Sequence, residues 1–214
     1  IANLMHRPIR SLLGVVAIGV VVTMMLTLVG LSRGMLEAAA ERQSSIGADI
    51  VVRPPGTSML GLSSAPLNEK LVSVLAEQPD VTLAVGQIVF PIGGIDTITG
   101  INLEQFSKLN GGFTYRSGGP LKQPDDILVD EYYARQNKLS VGMPLKVANH
   151  EWKISGIIAS GKLARLVVDS KRLQELTGNE GKISQVFLKV DAKENVPKVI
   201  AALKQKLPGY PIYA

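Results

Sequence analysis

Leu12 to Leu31 is a run of 20 residues without one charged side chain. At about 1.5 Å per helical residue it matches the roughly 30 Å hydrocarbon core of a bilayer, so a membrane span is the first constraint on the fold. A cleaved leader would explain an apolar run too, with Ala38-Ala39-Ala40 as its cleavage site. A leader's apolar region is about 7 to 15 residues, however, and this run is longer and stops well short of those alanines. Arg7 and Arg10, with His6, flank its N-terminal end, whereas Arg33 and Arg42 at the other end are offset by Glu37 and Glu41. The positive-inside rule then sets Arg7 and Arg10 as a cytoplasmic lead-in and places everything after residue 32 outside.

One face of this helix carries more information than its length. Gly19, Thr23, Thr27, Gly30, Gly34 and Ala38 follow spacings of three or four residues and align as one stripe of small or hydroxyl side chains. Glycine is common in membrane helices, and Gly30-x-x-x-Gly34 is a weak pattern by itself. The stripe predicts close packing of a second helix, which a lone lipid-bathed anchor does not need. Good helix formers continue from Ser32 to Gly47, the expected C-terminal cap. One helix of about 35 residues is therefore expected, projecting about 20 Å beyond the bilayer as a stalk.

About 170 residues follow, enough to bury a core of their own. The chain carries 23 Lys and Arg against 18 Asp and Glu; four Arg and two Glu fall in residues 1–46, leaving nineteen against sixteen. That near balance gives nucleic-acid binding no support. With no cysteine there is no disulfide framework and no thiolate chemistry. ADIVVRPPG reads as a short strand. LNEKLVSVLAEQ reads as a helix with Pro66 at its first position and Leu67, Leu71, Val74 and Leu75 on one face, and VTLAVGQIVFPI reads as the next strand. ISQVFLKVD, NVPKVIAALKQKL and PGYPIYA repeat the arrangement at the other end. The expectation is an α+β fold: residues 47–95 with 182–214 form a platform of two β-α-β halves. Residues 96–181 are an inserted β-rich subdomain, and residues 1–46 are lead-in, membrane helix and stalk. Within the insertion, Asn102 is the expected cap of LEQFSKL, GGFTYRSGGPLKQPDD a polar loop, and PLKVANHEWKISGII a hairpin turning at Asn149-His150.

Catalytic chemistry finds little purchase. Gly156 to Lys162 has P-loop spacing, but Leu163 stands where a magnesium-binding Ser or Thr is needed and the following residues are strand-like. His6 and His150 have no partner at metal-ligand spacing, so His150 reads as a solvated turn residue. Asp125-Asp126 and Asp130-Glu131 read as caps and turn residues, and Tyr132-Tyr133 as packing residues. No catalytic, cofactor-binding or metal-binding residue is expected.

The order of the phrases resembles a known family. NLMHRPIRSLLGVVAIGVVVTMMLTLVGLSRGMLEAAAERQSSIGADIVVRP resembles the opening of MacB/FtsX-type ABC transporter permeases, with Ile46-Gly47-Ala48-Asp49 matching the turn after the stalk. ITGIN, ILVDEYYARQNKLSVGMPLKV and WKISGII resemble the family's periplasmic core domain. The resemblance implies a non-catalytic permease subunit in the bacterial inner membrane, its N-terminus cytoplasmic and its main domain periplasmic. It implies an ABC-type ATPase partner, a second permease protomer in a homo- or heterodimer, contact with membrane lipid, and room for a periplasmic or outer-membrane partner. It further implies three membrane helices beyond residue 214, so that this chain, which begins at Ile1, is a piece of a longer protein. Export, lipoprotein handling and mechanotransmission to a hydrolase are all open, as is the substrate. The loops Pro54 to Pro66 and Gly111 to Asp126 are the natural contact surfaces. The alternative is a single-span anchor displaying a binding or scaffold domain with no transport role.

Overall fold

The computed structural model describes residues 8–56, 66–93 and 96–214. The chain divides into two units, residues 1–42 and 43–214. Helix α1, Pro8–Ser45, makes up the described part of the first unit and contributes its last three residues to the second. Within it, Leu12–Gly34 is long and apolar enough to cross a membrane. Its large side chains are exposed all round, from Val22 at 48 % to Met25 at 67 %. A helix apolar on every side suits hydrocarbon rather than one buried face of a soluble core. Just past its end Gly47 takes a φ of 74°, the left-handed conformation expected of the cap.

The second unit is built on strands β1 (Ile50–Val52), β2 (Leu67–Asn68), β3 (Val81–Gly93), β4 (Asp96–Ile101), β5 (Tyr115–Gly118), β6 (Asp126–Asp130), β7 (Pro144–Val147), β8 (His150–Ile158), β9 (Leu166–Asp169), β10 (Lys182–Ile183), β11 (Gln185–Val190) and β12 (Ile212–Tyr213). Between them lie helices α2 (Lys70–Ala76), α3 (Leu103–Asn110), α4 (Glu131–Gln136), α5 (Ser170–Thr177) and α6 (Val196–Lys206). One large sheet has the order β12-β1-β11-β3-β4-β9-β6-β8-β5, with β7 also on β8, and β2 and β10 form a separate pair.

The first four strands of that order are two interleaved β-α-β halves. β1 and β3 each run antiparallel to β11, so they are parallel to one another with β11 between them. β11 and β12 flank β1 in the same way. This split arrangement puts α2 and α6 on one face, where Leu75, Val199 and Leu203 bury against Ile50, Val52, Ala84 and Leu188. Burying a side chain of this size contributes about 1.5–3 kcal/mol, so the cluster is a main source of the platform's stability.

β3 is what joins the platform to the middle of the chain. Its first half pairs with β11 as far as Gln87, and from Gln87 onward it pairs with β4. Alternation along its 13 residues serves three cores. Ala84 faces α2 and α6, Ile88 and Phe90 face the core with Trp152 and Leu173, and Leu83 and Val85 face the opposite side with Phe106 and Phe187. Three strands then end in a capping side chain that starts a helix. Asn102 accepts from the Gln105 amide at 3.0 Å, Asp130 from Tyr133 at 2.6 Å, and Asp169 from Lys171 and Arg172 at 3.0 and 3.1 Å.

The structure departs from the sequence reading in four places. Pro66 does not begin a helix: Leu67 and Asn68 pair with Ile183 and Lys182, Glu69 caps, and the helix starts at Lys70. Leu67 is buried in that strand pair, while Val74 is 53 % exposed. The strand ISQVFLKVD is interrupted at Ser184, whose hydroxyl accepts from the Val89 amide at 2.9 Å. The polar loop contains β5, which pairs with β8 because Gly118 and Gly156 let the two backbones approach closely. Finally, the hairpin turns at Ala148 and Asn149, both at φ near 55°, as a two-residue type I′ turn requires, and His150 is already in the strand.

Candidate functional site

A methyl group added at Gly19, Gly30 or Gly34 meets no atom within 4 Å. Thr23 donates its hydroxyl to the Gly19 carbonyl at 2.8 Å, and Thr27 donates to Thr23 at 2.8 Å. Both hydroxyls are therefore satisfied within the helix, and the stripe offers a neighbour only short, apolar relief. Arg7 lies outside the described residues, as do the side chains of Arg10 and Ala38.

At the other end of α1, within the folded unit, the chain is fastened to β11. Ile46 is 8 % exposed and belongs to the core with Phe106 and Phe187. The Asp49 amide donates to the Leu188 carbonyl at 2.9 Å, and the Asp49 carboxylate accepts from the Val190 amide at 2.9 Å. Lys189 reaches back to donate to the Gly47 carbonyl at 3.0 Å, its ammonium 3.8 Å from the Asp49 carboxylate. Four residues after the helix are thus held by one strand through backbone, side chain and core together. Gly47 and Asp49 were legible as a turn, but Lys189 was not, because 142 positions separate it from Gly47.

The residues weighed for chemistry have other work. Lys162 donates to the Gly112 carbonyl at 2.6 Å, and Leu163 is at φ 54° in a turn before β9, so the P-loop-like segment is strand and turn without the helix that phosphate binding needs. Asp126 accepts from the amides of Lys122 and Gln123, and Asp130 caps α4. His150 is not a solvated turn residue. Its Nε2 is 2.8 Å from Asp125 Oδ1, and its ring stands edge-on to Trp152 at 4.9 Å. Arg172 donates to the same Asp125 oxygen at 2.8 Å and pairs with Glu175 at 3.1 Å. The Arg172 hydrogen bond is the main cause that holds the Asp125 carboxyl below the usual carboxylate range. This cluster ties the β7–β8 turn to α5, and its members are too far apart in sequence for spacing to have shown it. The tyrosine pair splits: Tyr133 packs on the Trp152 core, while Tyr132 is 59 % exposed with the Arg135 guanidinium 5.8 Å from its ring centre. Among the described residues, no group of three or more His, Asp or Glu is placed to hold a metal ion. Of the two contact loops, residues 57–65 lie outside the described residues, and the second carries β5 and the Asp126 turn.

An apolar helix running to a domain fastened on β11 is the context in which the comparisons are informative. The sequence matches the model of the MacB-like periplasmic core domain over residues 11–206. The chain belongs to the MacB-like periplasmic core domain family. Two solved structures share the fold. The extracellular domain of the noncanonic ABC-type transporter YknZ from Gram-positive bacteria is 15 % identical with a TM-score of 0.58, over 77 % of this chain and 100 % of that one. The periplasmic region of MacB from Actinobacillus actinomycetemcomitans is 12 % identical with a TM-score of 0.58, over 79 % of this chain and 90 % of that one. No curated protein matches the sequence. Family and helix together make this a membrane-anchored chain with an extracytoplasmic α+β domain, of the MacB/FtsX permease type.

Proposed function

We propose that this chain is the membrane-anchoring helix and extracytoplasmic domain of the permease subunit of a MacB/FtsX-type ABC transporter. The match of the family model across both the apolar helix and the domain, residues 11–206, is the observation that carries this reading. In it the N-terminus is cytoplasmic, in a bacterial inner membrane, and an ABC-type ATPase works at the cytoplasmic face. A second permease protomer packs along Gly19, Thr23, Thr27, Gly30, Gly34 and Ala38. The permease hydrolyses nothing itself; it carries the ATPase's conformational change through the stalk to work on an extracytoplasmic substrate. Residues 47–95 with 182–214 serve as the platform that receives that movement, and residues 96–181 as a second lobe that presents it.

The test is affinity purification of the native protein in mild detergent, with assay of the eluate for ATP hydrolysis. A stoichiometric ATPase is expected. Recovery of the protein alone, with no ATP hydrolysis above that of a mock purification, would overturn the transporter reading and leave an anchored binding or scaffold domain.

A further inference from the structure

We infer that Asp49 and Lys189 are the input joint through which stalk movement enters the domain, with β3 as the member that carries it to the far lobe. The inference rests on the permease reading for its purpose and on the structure for its parts. Among the described residues, the Asp49 amide donates to the Leu188 carbonyl, and three side-chain features also fix the segment after the helix end. Ile46 is set in the core, the Asp49 carboxylate accepts from Val190, and Lys189 donates to Gly47. The last two grip in opposite directions, since one side chain comes from the segment that follows the helix and the other from β11. A displacement of the chain at residues 46–49 must therefore move β11 or break hydrogen bonds that involve charged groups, and such bonds are among the stronger ones.

From β11 the next link is equally direct. The Thr82 hydroxyl donates to the Lys189 carbonyl at 3.1 Å, and the Asp191 amide donates to the Asp80 carbonyl at 3.0 Å. Both residues stand at the head of β3. Lys198 of α6 adds a bond to the Asp80 carboxylate at 2.8 Å. β3 then runs for 13 residues, changes partner from β11 to β4 at Gln87, and shifts register against β4 only near its end, between Pro91 and Gly93. At about 3.3 Å per residue it is about 40 Å long, hydrogen-bonded to β11 in one lobe and to β4 in the other. A rigid extended strand with two sets of neighbours can pass a displacement along its axis without any residue changing conformation.

The roles of the two side chains separate by substitution. Asp49→Ala removes the acceptor, Asp49→Asn keeps an acceptor for the Val190 amide while removing the charge, and Lys189→Met keeps the aliphatic stem while removing the bond to Gly47. The chain has no cysteine, so Tyr132→Cys, at an exposed position in the far lobe, takes a single environment-sensitive fluorophore. In the purified complex, the ATP-dependent fluorescence change per ATP hydrolysed is expected to fall at least fivefold in Asp49→Ala and Lys189→Met. In Asp49→Asn it should stay within twofold of the parent. Thermal unfolding of each variant is followed in parallel, because a merely structural role would lower the melting midpoint without separating Asn from Ala. Amide exchange at Val190 should speed up roughly tenfold or more in Asp49→Ala, as loss of a hydrogen bond to a charged group implies. An Asp49→Ala response equal to the parent's, or unchanged exchange at Val190, overturns the joint. A parent complex that neither hydrolyses ATP nor responds to it overturns the permease reading instead, and Val190 exchange then judges the joint alone.

Discussion

Replacing Gly118 with alanine should open the sheet at the β5–β8 contact. Gly118 has a φ of 73°, and a Cβ built there stands 2.2 Å from the Ser155 carbonyl oxygen, 2.8 Å from the Gly156 Cα and 3.0 Å from a Val141 methyl. Two of those three neighbours are backbone and have no rotamer to escape into. Overpacking of this kind costs about 1–3 kcal/mol, and holding an L-residue in the left-handed region adds about 1–2. The total of about 2–5 kcal/mol lowers the unfolding midpoint by about 4–20 °C, because about 1 kcal/mol corresponds to 2–4 °C in a domain of this size. The assay is thermal unfolding followed by the fluorescence of Trp152. It is the only tryptophan, is 1 % exposed, and lies in the strand that β5 pairs with. Gly111→Ala and Gly119→Ala are the controls. Gly111 shares the positive φ, at 78°, but has open space, so its midpoint should fall by about 2–8 °C. Gly119 has open space without the positive φ and should be nearly silent. If Gly118→Ala melts no earlier than Gly111→Ala, the close approach of the two backbones is not what holds β5.

A Cβ added at Gly30 or Gly34 meets nothing within 4 Å among the described residues, so leucine there should stabilise the isolated helix by about 0.5–1 kcal/mol through propensity alone. Any loss of self-association or ATPase coupling must then come from a neighbour the stripe packs on. That loss is expected to be about tenfold in dissociation constant, with leucine at Val21 or Val22 tolerated, and fluorescence energy transfer between labelled copies in detergent would measure it; four equal variants would remove the stripe from the account. Arg172→Gln tests the Asp125 cluster through pH. A carboxyl held below its unfolded pKa adds stability above that value and loses it as pH falls through the folded one. The parent should therefore lose more stability than Arg172→Gln as pH falls through the carboxylate range, and only slightly more because the pair is partly exposed. Acid titration of the Trp152 signal at a fixed sub-denaturing urea concentration checks it, and parallel curves for the two proteins would refute it.

What could be seen in the sequence was what neighbouring residues decide for themselves. A charge-free run of 20 residues, a glycine after a helix, and an Asn before LEQF each act within one or two turns, and α1, the Gly47 cap and the Asn102 cap followed from them. β5 was hidden because its hydrogen bonds depend on two glycines 38 positions apart meeting face to face, which no local pattern records. Leu67 was placed on a helix because its periodicity allowed it; only Ile183, arriving from far along the chain, makes it a strand residue. The same holds for function. The lead-in, the stripe and the turn after the stalk could be quoted as phrases, whereas Lys189, Asp125, His150 and Arg172 become partners only when the sheet closes.

Thr23 and Thr27 turn their hydroxyls onto their own helix, and Gly19, Gly30 and Gly34 on the same stripe have none to offer. A neighbour resting on that face would receive no hydroxyl proton from it and would be held mainly by fit. A contact of that kind has no preferred notch along its length, so one helix can glide or roll against another at little cost. It behaves as a bearing, whereas the bonds at Asp49 and Lys189 behave as a weld.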